Sequence, residues 1–286
     1  QEKIGRVVLL ISCPDRKGIV AGVSNFIYSI GGNILQSDQY TTDPRDGVFF
    51  LRVEFDLSDE VLSRSDLEDE FEKLAFEFRM DWRIMYHQDI KRMAIMVSSQ
   101  GHCLVDLLWR WKTGDLRSEI PFVISNHPDL QETVESFGIP FHLFPVTNLT
   151  RQQQEDGILN LLEGKVDFIV LARYMQVLTD EFISRYPNRI INIHHSFLPA
   201  FVGAKPYEQA LDRGVKVIGA TAHYVTENLD QGPIIEQDVI RVTHRDGLYE
   251  LLRKGRDLEK TVLARAVHWY LEDRILVYHN RTVVFV

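Results

Sequence analysis

The fold is indicated first by two short apolar runs, which read Phe168-Ile169-Val170-Leu171 and Ile190-Ile191-Asn192-Ile193-His194. Each run has the length and the β-branched content of a buried strand. Similar runs come earlier in the chain, and amphipathic helical stretches lie between them. The other predicted strands are Met93–Val97, Phe122–Ser125 and Phe141–Phe144, and the helical stretches include Leu104–Trp111 and Gln152–Leu162. This alternation is typical of a mostly parallel sheet with right-handed crossovers, and it predicts a Rossmann-like α/β domain.

The second apolar run also carries polar side chains. Side chains alternate along a strand, so Asn192 and His194 share one face while Ile191 and Ile193 share the other. Ligands bind beyond the carboxyl ends of the strands in such sheets, and Asn192 and His194 lie at such an end. The carboxylate of Asp230 could complete the group. These side chains suit attack on a small carbonyl, in which the amide holds the developing oxyanion and the imidazole moves protons.

The first part of the chain has a different order of elements. The predicted order is strand Ile4–Cys13, helix Ile19–Ile30, strands Asn33–Thr42 and Val48–Asp56, helix Leu67–Phe78 and strand Trp82–Tyr86. Gly31 and Gly32 end the first helix, and the stretch from Asp43 to Gly47 is a turn between the two middle strands. The order βαββαβ predicts a ferredoxin-like α+β domain.

We therefore expect two domains, residues 1–86 and 93–286, joined by a polar linker at 87–92. Within the second domain, a long amphipathic helix is predicted at Tyr249–Leu271. Strands are expected on either side of it, at Val239–Val242 and in the tail Ile275–Val286.

Composition narrows the class of protein. The chain has 286 residues and a formal net charge of -9, which argues against a general nucleic-acid surface. It contains no apolar run of the length of a membrane span, and its start, Gln1-Glu2-Lys3, does not resemble a signal peptide. We interpret its two cysteines, Cys13 and Cys103, as reduced thiols and expect the protein in the cytoplasm.

Several motifs of the second domain resemble those of the folate-dependent formyltransferase family. They are Asn192-x-His194, Ser196-x-Leu198-Pro199, Gly219–His223, Leu229-Asp230-x-Gly232-Pro233 and the folate-loop segment Leu171–Leu178. The motifs occur in the family's order and spacing, and the resemblance covers Met93 to Glu272. It implies the formyltransferase fold for the second domain. The first domain resembles the ACT domain, a small module that often binds amino acids, through Asp15–Ala21 and Gly31–Ile34.

The resemblance implies roles for the catalytic candidates Asn192, His194 and Asp230. Asn192 would bond the formyl oxygen as it becomes anionic. A protonated His194 could stabilise the same charge and manage the proton on the departing nitrogen. Asp230 would raise the imidazole pKa and orient or deprotonate an attacking water.

The resemblance also implies which residues bind the folate. The pterin would lie on the segment Arg173 to Leu178, and Glu227 and Asn228 would close over its other side. The substrate-binding candidates are Arg173, Tyr174, Met175, Val177, Leu178, His195, His223, Glu227 and Asn228. On a strand His195 would face away from His194, so packing or a supporting hydrogen bond is its favoured interpretation. His223 lies in a further apolar strand and is expected to support the site.

The acceptor side of the site departs from the family pattern. Enzymes that formylate glycinamide ribonucleotide carry Gly-Ser-Asn at a turn that holds the acceptor's phosphate, whereas this chain has Gly101-His102-Cys103. The segment Ala204–Tyr207 differs as well. With the phosphorylated acceptor in doubt, water is the expected nucleophile. The resemblance then implies hydrolysis of 10-formyltetrahydrofolate to tetrahydrofolate and formate without a cofactor, in one-carbon and purine metabolism.

Other interpretations stay open. The domain could transfer the formyl group to another amine, or be an inactive sensor of folate or amino acids. A metal site is disfavoured because neighbouring histidines diverge on a strand, and Ser196 lacks the Gly-x-Ser-x-Gly context of a nucleophile. Whether His102 and Cys103 contribute to the site is left open. The ACT-like module could bind an amino-acid effector or only pair subunits of a homo-oligomer.

Overall fold

The computed structural model describes residues 4–43, 45–58, 62–146, 151–200 and 205–286. Ala204 lies outside these ranges; it is the first residue of the segment Ala204–Tyr207, which differs from the family pattern. The chain forms two compact units. Unit 1 comprises residues 1–90, 273–276 and 283–286, and unit 2 comprises residues 91–272 and 277–282. Residues 273–286 are thus divided between the two units, whereas the sequence analysis places all of them in the second domain. The predicted domain boundaries stay a prediction.

Unit 1 contains an antiparallel four-stranded sheet with the order β2-β3-β1-β4. Its elements are β1 (Arg6–Pro14), α1 (Ile19–Ser29), β2 (Asn33–Thr41), β3 (Val48–Asp56), α2 (Arg64–Phe78) and β4 (Asp81–Tyr86). Apolar side chains of both helices join Leu9, Ile11 and Val53 of the sheet in one core. The hydroxyl of Ser63 caps α2 by accepting a hydrogen bond from the Asp66 N–H. The ferredoxin-like fold is confirmed.

Unit 2 contains a seven-stranded sheet with the order β11-β10-β9-β8-β5-β6-β7. Its strands are β5 (Met93–Val97), β6 (Val123–Ser125), β7 (Phe141–Leu143), β8 (Phe168–Leu171), β9 (Ile190–His194), β10 (Val217–Tyr224) and β11 (Ile234–Arg241). Strands β5 to β9 are parallel to one another, and β10 runs antiparallel to both of its neighbours, β9 and β11. The mostly parallel, Rossmann-like sheet is confirmed.

The helices of unit 2 lie between and after these strands. They are α3 (His102–Thr113), α4 (Gln131–Glu135), α5 (Arg151–Leu162), α6 (Asp180–Arg185), α7 (Pro206–Asp212) and α8 (Leu248–Leu271). The longest, α8, packs against α3, α7 and strands β9 to β11. Buried α8 residues include Leu251, Gly255 and Glu259, so this helix presents both apolar and polar groups to the interior.

Two expectations near the end of the chain need correction. The strand predicted at Val239–Val242 begins earlier, at Ile234, because antiparallel pairing with β10 extends it. The tail is not one strand but two, β12 (Ile275–Tyr278) and β13 (Arg281–Val284), which pair with each other. His279 adopts a left-handed φ of 51° between them, which reverses the chain. Among the described residues, none of the helices combines the length and apolar character that crossing a membrane requires.

Candidate active site

The carboxyl end of β9 brings an amide, an imidazole and a carboxylate together. Nδ1 of His194 lies 3.4 Å from Oδ2 of Asp230. Nδ2 of Asn192 lies 3.3 Å from Nε2 of His223, and this Nε2 lies 3.7 Å from Oδ1 of Asp230. We call Asn192, His194 and Asp230 the triad. The side chains that the sequence singled out for carbonyl chemistry therefore form one connected polar cluster with His223.

A tight loop between β10 and β11 presents Asp230. The backbone of Asp230 is left-handed, with a φ of 56°, which costs about 1 kcal/mol for a residue with a side chain. Gly232 follows it, and a Cβ at this position would lie 1.8 Å from the Tyr224 carbonyl oxygen. The Gln231 N–H donates to the carbonyl of Asn228 at 3.2 Å. Only glycine allows this close return of the chain, and the return aims the Asp230 carboxylate at β9.

The two histidines of the polar cluster favour the ionised form of Asp230. Hydrogen bonding from His194, and then from His223, holds the pKa of Asp230 well below its ordinary value, against the opposing effect of burial. Nδ1 of His223 donates to the Tyr224 carbonyl at 2.9 Å, so Nε2 donates to Asp230 only when the ring is charged, and in the neutral ring the lone pair of Nε2 accepts from Asn192. One N–H of the Asn192 amide is thereby fixed, and the other is available to a ligand.

The second ring nitrogen of His194, Nε2, is buried. Only 7% of the residue is exposed, and its Nε2 has no hydrogen-bond partner in the part of the chain that the structure describes. Because Nδ1 faces Asp230, the carboxylate fixes the orientation of the ring. Nε2 is therefore the atom of His194 that can exchange a proton with a ligand.

The triad lies in a cavity of about 640 Å³. Most of the predicted folate-binding side chains line it. They are Arg173, Tyr174, Met175, Val177, Leu178, His195, His223 and Glu227. Asn228 is not among the lining residues. Its carbonyl accepts hydrogen bonds from Thr226 and Gln231, so Asn228 shapes the loop that carries Asp230.

The segment Arg173–Leu178 forms an apolar wall of this cavity. Met175 and Val177 are 56% and 53% exposed, although they are apolar. The Met175 N–H donates to the Ser98 hydroxyl at 3.0 Å, which ties the segment to the end of β5. Tyr174 is buried, and its hydroxyl accepts from the Gln154 amide at 3.0 Å. The segment is thus anchored at two points while its apolar side chains face open space.

The expected orientation of His195 is wrong. Strand β9 ends at His194, so strict alternation does not continue to the next residue. The two imidazole rings stack with centroids 5.1 Å apart and planes inclined by 21°. Nδ1 of His195 is hydrogen-bonded to the guanidinium of Arg173. His195 therefore lies beside the triad and does not face away from it.

Sequence reasoning missed a buried polar cluster next to this pair. Oε2 of Glu259 lies 2.6 Å from Nε2 of His102 and 3.6 Å from Nε of Arg173, and Oε1 accepts from the Tyr207 hydroxyl at 2.6 Å. Only 1% of Glu259 is exposed. We call Glu259, His102, Tyr207 and Arg173 the Glu259 cluster. A charged residue on the apolar face of the long predicted helix was the signal that could have revealed it.

The Glu259 carboxylate is ionised in this setting. Burial opposes its charge, but the hydrogen bond from His102, the charge of Arg173 and the Tyr207 hydroxyl together lower the pKa of Glu259. Gly255 makes room for Tyr207, because a Cβ at Gly255 would lie 2.0 Å from the tyrosine hydroxyl oxygen. A glycine inside a helix costs about 1 kcal/mol relative to alanine, which the fit of Tyr207 offsets.

The other candidate nucleophiles and ligands have different environments. Burial, followed by the charge of Glu259, raises the pKa of Cys103 well above its ordinary value, so the residue stays a thiol. The Ser196 hydroxyl donates to the Ala200 carbonyl at 2.8 Å and shapes the loop after β9. Side-chain atoms of His102, Cys103 and Glu259 lie within 4.8 Å of one another, but the guanidinium of Arg173 beside Glu259 disfavours a metal cation there.

Comparison with known proteins agrees with this geometry. The profile of the Formyl transferase family matches residues 91–267. Formyltetrahydrofolate deformylase of Synechocystis sp. is 55% identical over 278 residues, which cover 97% of each chain. The crystal structure of a formyltetrahydrofolate deformylase from Pseudomonas syringae pv. tomato matches with a TM-score of 0.95 and 48% identity, over 100% of this chain and 96% of that one.

The chain belongs to the formyltetrahydrofolate deformylase family. The family resemblance inferred from the motifs is confirmed. The structure of glycinamide ribonucleotide transformylase 1 from Symbiobacterium toebii matches less of this protein. It has a TM-score of 0.66 and 30% identity, and it covers 70% of this chain and 97% of that one. Family members of the deformylase type thus match both units of this chain, and the transformylase matches only part of it.

Proposed function

We propose that this protein hydrolyses 10-formyltetrahydrofolate to tetrahydrofolate and formate. The observation that carries the proposal is the 55% identity, over 97% of both chains, to a protein named formyltetrahydrofolate deformylase. The reaction is a hydrolysis of a C–N bond, and the triad supplies groups suited to it. The folate is the substrate, and we propose that no additional cofactor takes part. The product formate would enter one-carbon metabolism and purine synthesis.

We propose the following roles for the triad. A water oxygen adds to the formyl carbon while Asp230 accepts the proton that this water loses. The N–H of Asn192 that is not bonded to His223 donates to the oxygen that becomes negative. The bond between the formyl carbon and the folate nitrogen then breaks. The proton that this nitrogen gains comes from Nε2 of His194, and formate leaves.

The folate would lie along the apolar wall of the cavity. Met175 and Val177 offer exposed apolar surface on one side, and Glu227 lies on the loop that carries Asp230. Backbone amides and carbonyls of the segment from Arg173 would meet the pterin's polar edge. His223 supports the amide of Asn192 from behind. In this arrangement the formyl group reaches the triad when the pterin is seated.

The acceptor side supports water as the nucleophile. His102 stands at the first turn of α3, where a bound phosphate would find the helix N-terminus. Its Nε2 is bonded to the Glu259 carboxylate, and Tyr207 is bonded to the same carboxylate. His102 and Tyr207 are thus bonded to Glu259 at the place where a phosphate cradle would be needed. His102 and Tyr207, one from each segment that differs from the family pattern, are therefore parts of the Glu259 cluster.

The direct test is formate release from 10-formyltetrahydrofolate with no amine present. We expect stoichiometric formate and tetrahydrofolate from the purified protein. Formyl transfer to added glycinamide ribonucleotide, with no formate in its absence, would favour a transferase. Tight folate binding with zero turnover would favour a sensor.

We further propose that the first domain is an ACT-like module that binds an amino-acid effector and pairs subunits of a homo-oligomer in the cytoplasm. The ferredoxin-like fold of unit 1 supports the module, since its four-stranded antiparallel sheet leaves β2 at an edge. Glycine and methionine, titrated against the rate of formate release, test the effector. A flat response to every amino acid would remove the regulatory role, and a monomer in sedimentation would remove the pairing.

A further inference from the structure

Two histidines that follow one another in the chain form a stacked pair at the reaction site. The ring centroids of His194 and His195 are 5.1 Å apart, and the ring planes are nearly parallel. A positive charge on one ring disfavours a charge on the other, because like charges at this distance repel. Only one member of the pair therefore carries a second proton easily. The histidine that carries this second proton is the one that can act as the general acid.

The two rings have opposite partners. Nδ1 of His194 faces the carboxylate of Asp230 at 3.4 Å, which favours a charged imidazole. Nδ1 of His195 is bonded to the guanidinium of Arg173. A guanidinium is always protonated and can only donate, so Nδ1 of His195 must accept. The single ring proton of His195 is then on Nε2, and the ring is neutral.

Arg173 is held in place from several sides. Its backbone has a left-handed φ of 66°, and its side chain is only 8% exposed. One guanidinium nitrogen donates to the Gln100 side-chain oxygen at 3.1 Å, and Nε lies 3.6 Å from Oε2 of Glu259. A buried cation is costly unless a carboxylate accompanies it, and Glu259 is that carboxylate. Glu259 thus keeps Arg173 in position against His195.

Other polar groups also lie near the pair, and the charged residues Lys205, Glu208, Glu227 and Arg256 line the same cavity. The ring of Tyr207 is 6.1 Å from the ring of His195, and its hydroxyl donates to Glu259. His102 is bonded to the other side of the same carboxylate, and His223 faces Asp230. Among the described residues, the Arg173 guanidinium is hydrogen-bonded to His195, and the Asp230 carboxylate faces His194.

We propose that Arg173, anchored by Glu259, keeps His195 neutral and so reserves the titrating proton of the stacked pair for His194. Arg173 and Glu259 are positioning residues in this scheme, because they act through His195 and do not touch the reacting atoms. The relevance of the device to turnover rests on the proposed hydrolysis. The protonation states themselves do not depend on it.

The experiment is a histidine titration of the full chain without substrate, with ¹⁵N in the imidazole rings. Two-bond ¹H–¹⁵N spectra distinguish the two neutral tautomers and the charged ring. His194→Gln and His195→Gln variants assign the two signals. We expect His195 to show the neutral form with its proton on Nε2 between pH 5 and 8, so that any second proton on the pair is bound by His194. A proton on Nδ1 of His195, or titration of His195 in that range, would overturn the proposal.

The Arg173→Gln variant gives the second arm of the test. With Arg173 removed, Nδ1 of His195 becomes free to bind a proton, so the neutral form with its proton on Nε2 should be lost in part. Glu259→Gln should give a smaller loss of this form, since Arg173 remains but loses its anchor. The matched control is Arg92→Gln, which also removes an arginine paired with a carboxylate but lies before β5, far from the cavity. It should leave both titrations unchanged.

An unchanged tautomer of His195 in Arg173→Gln would contradict the proposal. If that variant does not fold, the tautomer of His195 in the unaltered protein decides the matter alone. Because no substrate is present, failure here is separate from failure of the proposed hydrolysis.

Discussion

We call the side of the seven-stranded sheet where its parallel strands begin the amino edge, and the side where they end the carboxyl edge. Each holds an arginine beside a carboxylate, but the two pairs lie in opposite environments. At the amino ends of β5 and β8, Arg92 and Asp167 are 2.8 Å apart with side chains 36% and 41% exposed. At the carboxyl edge, Arg173 and Glu259 are 3.6 Å apart with side chains 8% and 1% exposed. The first pair costs little to form and contributes little. The second pair must offset the desolvation of two charges.

The carboxyl edge buries charged side chains, although a core is most simply filled with apolar ones. Apolar residues at Arg173 and Glu259 would be easier to bury. The cluster around Glu259 also requires a glycine inside α8 and a left-handed arginine. Such concentrations of buried charge and backbone strain are typical of functional sites. We infer that the carboxyl edge is organised for chemistry and that the amino edge is organised for stability.

The largest effect is expected from His194→Ala. This change removes the group that would protonate the departing nitrogen, so kcat for formate release should fall about 10³-fold to 10⁴-fold. The fold should survive, because the imidazole ring lines the cavity. Circular dichroism and the formate assay check both parts. Turnover close to that of the unaltered protein would remove His194 from the mechanism.

Asn192→Ala should have the next largest effect. Loss of one donor to a developing oxyanion costs about 10²-fold to 10³-fold in kcat. The KM for the folate should change little, since the amide acts mainly when charge develops. Steady-state kinetics separate the two quantities. A raised KM with unaltered kcat would mean that Asn192 only binds the folate.

Gly255→Ala should give an intermediate effect on the carboxyl edge. The new methyl group meets the Tyr207 hydroxyl, so Tyr207 must move away from Glu259. We expect the free energy of unfolding to fall by about 1–3 kcal/mol despite the better helix propensity of alanine. Gly22→Ala in α1 is the matched control, because its Cβ would come no closer than 3.3 Å to the flexible ends of Leu74 and Phe78. Urea unfolding compares them, and equal effects would show that Tyr207 is loosely held.

The smallest effect is expected from Asp167→Asn at the amino edge. The change breaks the exposed pair with Arg92, and the free energy of unfolding should fall by about 1 kcal/mol or less. Formate release should be unaltered, since the residue lies at the opposite end of β8. A large loss of turnover in this variant would erase the contrast between the two edges.

Much of the architecture could be predicted because it follows from local hydrophobic pattern. Strands such as Val48–Asp56, Met93–Val97 and Ile190–His194 have the predicted limits. Alternation along β9 also placed Asn192 and His194 together. The short helices α4, α6 and α7 were missed, because five to seven residues carry too little periodicity to detect.

The Glu259 cluster could not be predicted in the same way. Its members come from α3, α7, α8 and the segment after β8, so tertiary structure alone brings them together. The predicted orientation of His195 was wrong for a related reason. The rule of alternation holds inside a strand, and His195 is the first residue beyond one. The position of Asp230 depended on the family motif, since its left-handed loop has no strand or helix pattern.

The most direct measurement is formate release by Asp230→Asn beside Asp167→Asn, each assayed without an amine acceptor. Both changes turn a carboxylate into an amide, one at each edge of the sheet. The account predicts that Asp230→Asn stays folded and loses turnover by about 10²-fold or more, while Asp167→Asn keeps its turnover. Equal rates in the two variants would contradict the claim that the carboxyl edge performs the hydrolysis.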